Sequence, residues 1–255
     1  MNDKEILETA NLISENIPAI PKAIDNFIEL TIGNWLEYKN SLSKEKFKYK
    51  LKEKISQIPK DKITEPKLSI LGPALEASKY YIEEEEIREM FTNLISASMN
   101  SDYSKEIHHS FVEIIKQLSP LDAVILKELE NQNPILDIQY EFNFKKTEYL
   151  GLYSGNQAYL VYENLFFTEN IPEAEFNEIS LDNLIKQGLI KINKNVSLNK
   201  EKYSHYNNSK TLLEIKQHSE SKEPPFDKKD GKISLIYNVV SLTSLGELFK
   251  KVCIR

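Results

Sequence analysis

The chain is short of glycine, nearly devoid of cysteine and without a long apolar run, and each shortage removes a class of protein. A single cysteine, Cys253, leaves no internal disulfide to form. A lone thiol of this kind reads as an incidental apolar residue rather than a redox centre. Seven glycines in 255 residues leave little material for phosphate-cradling loops. Neither Gly-x-x-x-x-Gly-Lys nor Gly-x-Ser-x-Gly occurs, and there is no His-Glu-x-x-His pair. No window approaches the roughly 18 consecutive apolar residues that a spanning helix needs, and the start MNDKEILETANLI is a charged amphipathic segment rather than a signal peptide. The expectation is a cytoplasmic protein with no membrane span, no cofactor, no metal centre and no evident catalysis.

What is present is ordinary globular material, with 40% hydrophobic and 28% charged residues, enough chain to bury one large core or two small ones. The formal net charge of −6 argues against attraction of the whole molecule to nucleic acid and leaves room only for a local basic surface.

Periodicity makes the first half a run of helices. Ile6, Ala10, Ile13 and Ile17 recur at helical spacing before Pro18 and Pro21, and Ile24, Phe27, Ile28, Trp35 and Leu36 continue a broad stripe. Phe47, Leu51, Ile55 and Ile58 resume it, and Ile70, Leu71, Ala74 and Leu75 predict a helix bent or restarted at Pro73. The clearest stripe is Ile87, Met90, Phe91, Leu94 and Ile95. The acidic run at 83–86 sits where that helix begins, where carboxylates meet the positive end of the backbone dipole; metal binding is its alternative. Ser110 and Glu113 have capping-box spacing. Ser119 caps a further helix, with Pro120 at its first position and Asp122 beside the free amides.

Beyond that point the pattern changes. Alternation over 135–144 predicts a strand. Helices are then expected at about 156–166 and 172–187, the second with Phe176, Ile179, Leu184 and Ile185 inward and Gly188 as its stop. Strands follow at 189–192 and 233–242, and a last helix after Thr243. This is the order of a winged helix. The expected fold is therefore mainly α, with an N-terminal helical bundle over 1–118 and a winged-helix-like α+β module over 119–255. The polar, lysine-rich excursion at about 193–232, with turn signals at Pro224-Pro225 and Asp230-Gly231, reads as a disordered wing or a segment ordered by a partner.

A winged helix invites a DNA-reading function, but its residues must carry the claim. Between 173 and 187 stand Glu173, Glu175, Glu178 and Asp182 against Lys186, a net charge of −3. That sign is wrong for a phosphate-lined groove, so the module reads as a protein-contact element. The basic surface lies upstream, where 39–62 holds nine lysines against three acids. Lys39, Lys46, Lys50 and Lys54 fall along one helical stripe and form the candidate anion or nucleic-acid site; the bland alternative is a solvated helix whose lysine stems flank a buried stripe. His108 and His109 are adjacent, so they diverge on a helix and belong to the entry of the one that follows. His205 and His218 stand in the excursion with no cysteine near them.

Three segments carry a resemblance. They are Leu75-Glu76-Ala77, then 87–100 (IREMFTNLISASMN), then 107–123 (IHHSFVEIIKQLSPLDA). Together they resemble the abortive infection alpha (Abi-alpha) family, formerly a bacterial domain of unknown function. The match is dense over 65–126 and elsewhere follows the family in layout. Where the family pattern has His-Pro, this chain has His108-His109. The resemblance implies participation in antiphage defence as sensor, adaptor or effector, with a phage or host protein as partner and no catalytic residues to carry over. A nucleic-acid-binding regulator using the lysine row is the second reading, and an enzyme with an unfamiliar site the third.

Overall fold

The computed structural model describes residues 41–148, 151–174, 176–194, 196–228 and 230–254. Its elements in chain order are α1 (Ser41–Ser56), α2 (Leu68–Ser78), α3 (Glu85–Ser98), α4 (Ser110–Lys116), α5 (Pro120–Glu128), β1 (Asn133–Glu148), β2 (Gly151–Leu165), α6 (Phe176–Lys186), β3 (Ile190–Asn193), a 3-10 segment (Lys200–Asn208), α7 (Lys210–Ser221), β4 (Lys232–Leu242) and α8 (Ser244–Phe249), which runs on into a π-type turn (Lys250–Ile254). This is a mixed α+β protein rather than a mainly α one, with one four-stranded antiparallel sheet among the described residues. Among the described residues two compact units result, one from residues 41–127 with 244–254 and one from 128–243. The expected helices before residue 41 lie outside the described residues.

In the first unit α3 is the central element. Its residues Ile87, Met90, Phe91, Leu94, Ile95 and Ala97 are all buried, and α1, α2, α4 and the C-terminal turn pack against it. The α1 stripe of Phe47, Leu51 and Ile55 is buried as its spacing requires. Pro73 lies inside α2 without ending it. Ser119 and Asp122 cap α5 reciprocally: the Asp122 amide donates to the Ser119 hydroxyl at 3.2 Å, and the Ser119 amide to the Asp122 carboxylate at 2.7 Å. The box expected at Ser110 and Glu113 does not form. Glu113 takes Lys116 at 2.8 Å instead, and the Ser110 amide donates to His108 Nδ1 at 3.2 Å.

The terminal helix, expected in the second module, lies in this first unit, as does α5. Asn93 of α3 donates to the Cys253 carbonyl at 2.9 Å. Phe111 meets Phe249 edge-on with centroids 5.3 Å apart, and Val252, Cys253 and Ile254 are buried. The C-terminal turn packs against both α8 and α3, so these side chains join a core whose other half lies far back in sequence.

In the second unit the strand order is β2-β1-β4-β3. β1 pairs with β4 from Asn133↔Val240 to Glu141↔Lys232, and β3 with β4 from Ile190↔Leu242 to Asn193↔Val239. Among the described residues, β1 past Glu141 has only β2 beside it, down to Glu148↔Gly151. The helix expected at 156–166 is thus the strand β2. Ala158, Val161 and Leu165 imitate a helical stripe, but Tyr159, Val161 and Tyr162 favour a pleated surface and β1 supplies the partner. With a strand in that place, the chain order no longer holds the two consecutive helices expected of a winged helix.

The excursion is folded, against the expectation of a disordered wing. Tyr203, Tyr206 and Leu212 are buried with Leu136, Ile138 and Leu165 of the sheet. Both tyrosine hydroxyls are satisfied, Tyr203 donating to the Asn238 carbonyl at 2.7 Å and Tyr206 to that of Pro134 at 3.0 Å. Tyr140 closes the far end, donating to the Phe226 carbonyl at 2.9 Å. A Cβ at Gly231 would lie 1.6 Å from the Tyr140 hydroxyl, so this turn has room only for glycine.

Candidate interaction surface

Of the lysine row, Lys39 lies outside the described residues, and Lys46, Lys50 and Lys54 all lie on α1. The helix face that buries Phe47, Leu51 and Ile55 brings two of these lysines against α3. Lys50 Nζ is 2.5 Å from one Glu89 carboxylate oxygen and 3.5 Å from Glu85, and Lys54 Nζ is 2.9 Å from the other Glu89 oxygen. Lys46 is half-buried. Burial pushes the Glu89 carboxyl up, but the bonds from Lys50 and Lys54 outweigh it and hold the group below its ordinary 4.5. Burial likewise opposes the Lys50 ammonium, and Glu89 and Glu85 more than compensate, so its pKa lies above 10.5. Glu85, in the first turn of α3, therefore suits the helix dipole and faces Lys50, while Glu89, one turn on, receives both lysines.

A pH dependence follows from these directions. A carboxylate with a depressed folded pKa contributes stability that is fully present above its unfolded value and lost as pH falls through the folded one. Glu89→Gln is expected to cost about 1 kcal/mol at neutral pH, the scale of a partly exposed ion pair. It is also expected to flatten the acid limb below pH 4.5. Urea unfolding of both proteins from pH 7 to pH 3 reads this; parallel curves would show that the pair contributes nothing.

The second surface is the outer face of α6. Its inward stripe is Asn177, Ser180, Leu181 and Leu184, at i, i+3, i+4 and i+7. Asn177 takes its place there because its Nδ2 donates to two carbonyls, those of Phe166 and Pro172, each at 2.9 Å. With polar residues holding two inward positions, Phe176 and Ile179 point out, 67% and 63% exposed, and Ile185 is exposed as well. The expected inward set was therefore right at Leu184 and reversed at Phe176, Ile179 and Ile185. Its stop was right: Gly188 has φ 71°, its amide donates to the Ile185 carbonyl at 2.8 Å, and that of Leu189 to Leu184 at 3.0 Å.

Glu173, counted among the acids of this helix, is engaged elsewhere. It receives the Ser209 hydroxyl at 2.8 Å and the amides of Lys210 and Thr211 at 2.9 Å, closing the N-terminus of α7. Burial raises the pKa of this carboxyl, and the bonds from Thr211, Ser209 and Lys210 bring it net below the ordinary value. Glu178, Asp182 and Lys186 accompany the outward apolar pair on α6, and Asp182 and Lys186 are exposed.

His108 bonds Ser110 at 2.8 Å and serves the entry to α4. His205 packs on Tyr206, ring centroids 4.1 Å apart, and burial lowers its pKa. Among the described residues, no three of His, Cys, Asp and Glu gather as a metal site, and no helix is long and apolar enough to cross a membrane.

No curated protein and no solved structure matches the chain. A family model, described as abortive infection alpha, matches residues 39–253, most of the chain. The chain belongs to the abortive infection alpha family.

Proposed function

We propose that the chain serves antiphage defence by recognising a protein of phage or host, as sensor, adaptor or effector, through the outer face of α6. The observation that supports this most is the outward Phe176 and Ile179. A large aromatic and a β-branched aliphatic residue on one exposed helix face gain roughly 1.5–3 kcal/mol each when a partner covers them fully. The acids beside them suit a protein contact better than a phosphate backbone.

Phe176→Asp with Ile179→Asp tests the reading. Both sites face solvent, so stability should stay within about 0.5 kcal/mol of the parent, and circular dichroism and thermal melting check that. Protection of cells in a phage challenge should be lost. Full protection by the folded double variant would end the proposal.

The alternative, a nucleic-acid-binding regulator using Lys39, Lys46, Lys50 and Lys54, requires Lys50 and Lys54 to exchange Glu89 for phosphate. Salt-sensitive duplex binding that Lys46→Glu with Lys50→Glu abolishes would favour it over the α6 face.

A further inference from the structure

β2 forms one edge of the sheet and, among the described residues, pairs with β1 alone. The opposite edge, β3, is four residues long, includes Lys191 and is followed by Lys194. Short length and charge are the usual protections of a strand edge. β2 has neither. It runs for 15 residues, and its regularly paired stretch from Gly151 to Leu160 contains no Asp, Glu, Lys, Arg or Pro. Asn156, Ala158 and Leu160, which share one face at alternate positions, are exposed, Leu160 at 48%. Protection begins only at the C-terminal end. There the register between β1 and β2 shifts on both sides of Tyr162, Glu163 pairs with Lys194, and Asn164 takes φ 59°. The segment before it is uncharged, and among the described residues the backbone groups on its outer side have no strand beside them.

We propose that this edge is a homodimer interface in which β2 of one copy pairs antiparallel with β2 of a second copy about a twofold axis. Charge selects this occupant. In a twofold strand pairing the residues nearest the axis face their own copies, so any charged residue there meets a like charge. A net charge of −6 sets two copies against each other generally, and β2 is the stretch of sheet edge where that repulsion has no local source. Self-pairing also satisfies both edges at once and makes one continuous sheet of the two.

Sedimentation velocity on the full chain over a wide concentration range tests this, beside Gln157→Lys with Leu160→Lys, which places like charges across the axis without disturbing a buried group. The wild type should dimerise, and the double variant should self-associate at least about tenfold more weakly with an unchanged circular dichroism spectrum. Leu160→Cys should give a covalent dimer on mild oxidation, whereas the wild type, whose Cys253 is buried, should not. A wild type that stays monomeric overturns the proposal. So does a dimer that the lysines leave intact, or capture of an extended segment from another protein at this edge in place of a second copy.

Discussion

Tyr206→Ala is expected to destabilise the sheet unit by roughly 3–5 kcal/mol, the range for removing a large buried aromatic side chain. Tyr206 is 1% exposed. Its ring meets Phe167 edge-on at 4.9 Å and lies 6.4 Å from Tyr203, in the cluster that joins the excursion to Leu136, Ile138 and Leu165. Burial also raises its hydroxyl pKa far above the ordinary value, so the group donates to the Pro134 carbonyl as a neutral phenol at any physiological pH. Tyr206→Phe separates packing from hydrogen bonding: the ring stays, one bond is lost, and about 1 kcal/mol should go with it. Urea unfolding gives the two costs. Limited proteolysis shows where they fall, because the alanine variant should become cleavable between 196 and 228 while the parent resists. A parent already cut there, with Tyr206→Ala neutral, would mean that the excursion is a loose wing after all.

The excursion shows why the sequence was legible in some places and opaque in others. Signals confined to a few neighbouring residues were readable: the α3 stripe from Ile87 to Ile95, the Ser119–Asp122 cap, the Gly188 stop and the alternation that became β1. Signals that depend on a distant partner were not. β2 exists because β1 lies beside it, and its own spacing of Ala158, Val161 and Leu165 pointed the other way. Asn177 turned α6 over by finding the carbonyls of Phe166 and Pro172, a choice invisible in a helical projection that ranks asparagine as polar. Tyr203 and Tyr206 each hide a polar tip in a buried bond, so a segment polar by composition folds around them. The lysine row is the same lesson in charge. Lys50 and Lys54 have the spacing of a ligand site, and the carboxylate that holds them, Glu89, comes from another helix 35 or more residues on. The outward pair Phe176 and Ile179 carried one usable signal: Asn177 and Ser180 repeat at i, i+3 beside Leu181 and Leu184, a complete inward stripe once polar residues are admitted to it.

Asp137→Ala should cost the same unit about as much as Tyr206→Ala, roughly 3–5 kcal/mol, by a different route. Asp137 is 2% exposed in β1. One carboxylate oxygen accepts the Asn164 amide and the other the Asn238 side-chain amide, each at 2.8 Å, with Lys194 Nζ at 3.7 Å. Alanine removes the acceptor of both donors, the buried Asn238 amide and the part-buried Asn164 amide, and each such orphan costs about 1–3 kcal/mol. The Lys194 ammonium then keeps only Glu163. Asp137→Asn keeps the shape and one acceptor oxygen but loses the charge, so about half the penalty should return. The position matters as much as the energy. Asn164 is the residue of positive φ at the shift in register between β1 and β2, and the Asp137 bond to its amide holds β2 in one alignment. A one-residue slip would turn every β2 side chain to the opposite face, carrying Leu160 inward and the tyrosines out. Hydrogen exchange should therefore show the β2 amides of the alanine variant losing protection before those of β4, and protection lost evenly across the sheet would mean that Asp137 stabilises the unit without setting its register.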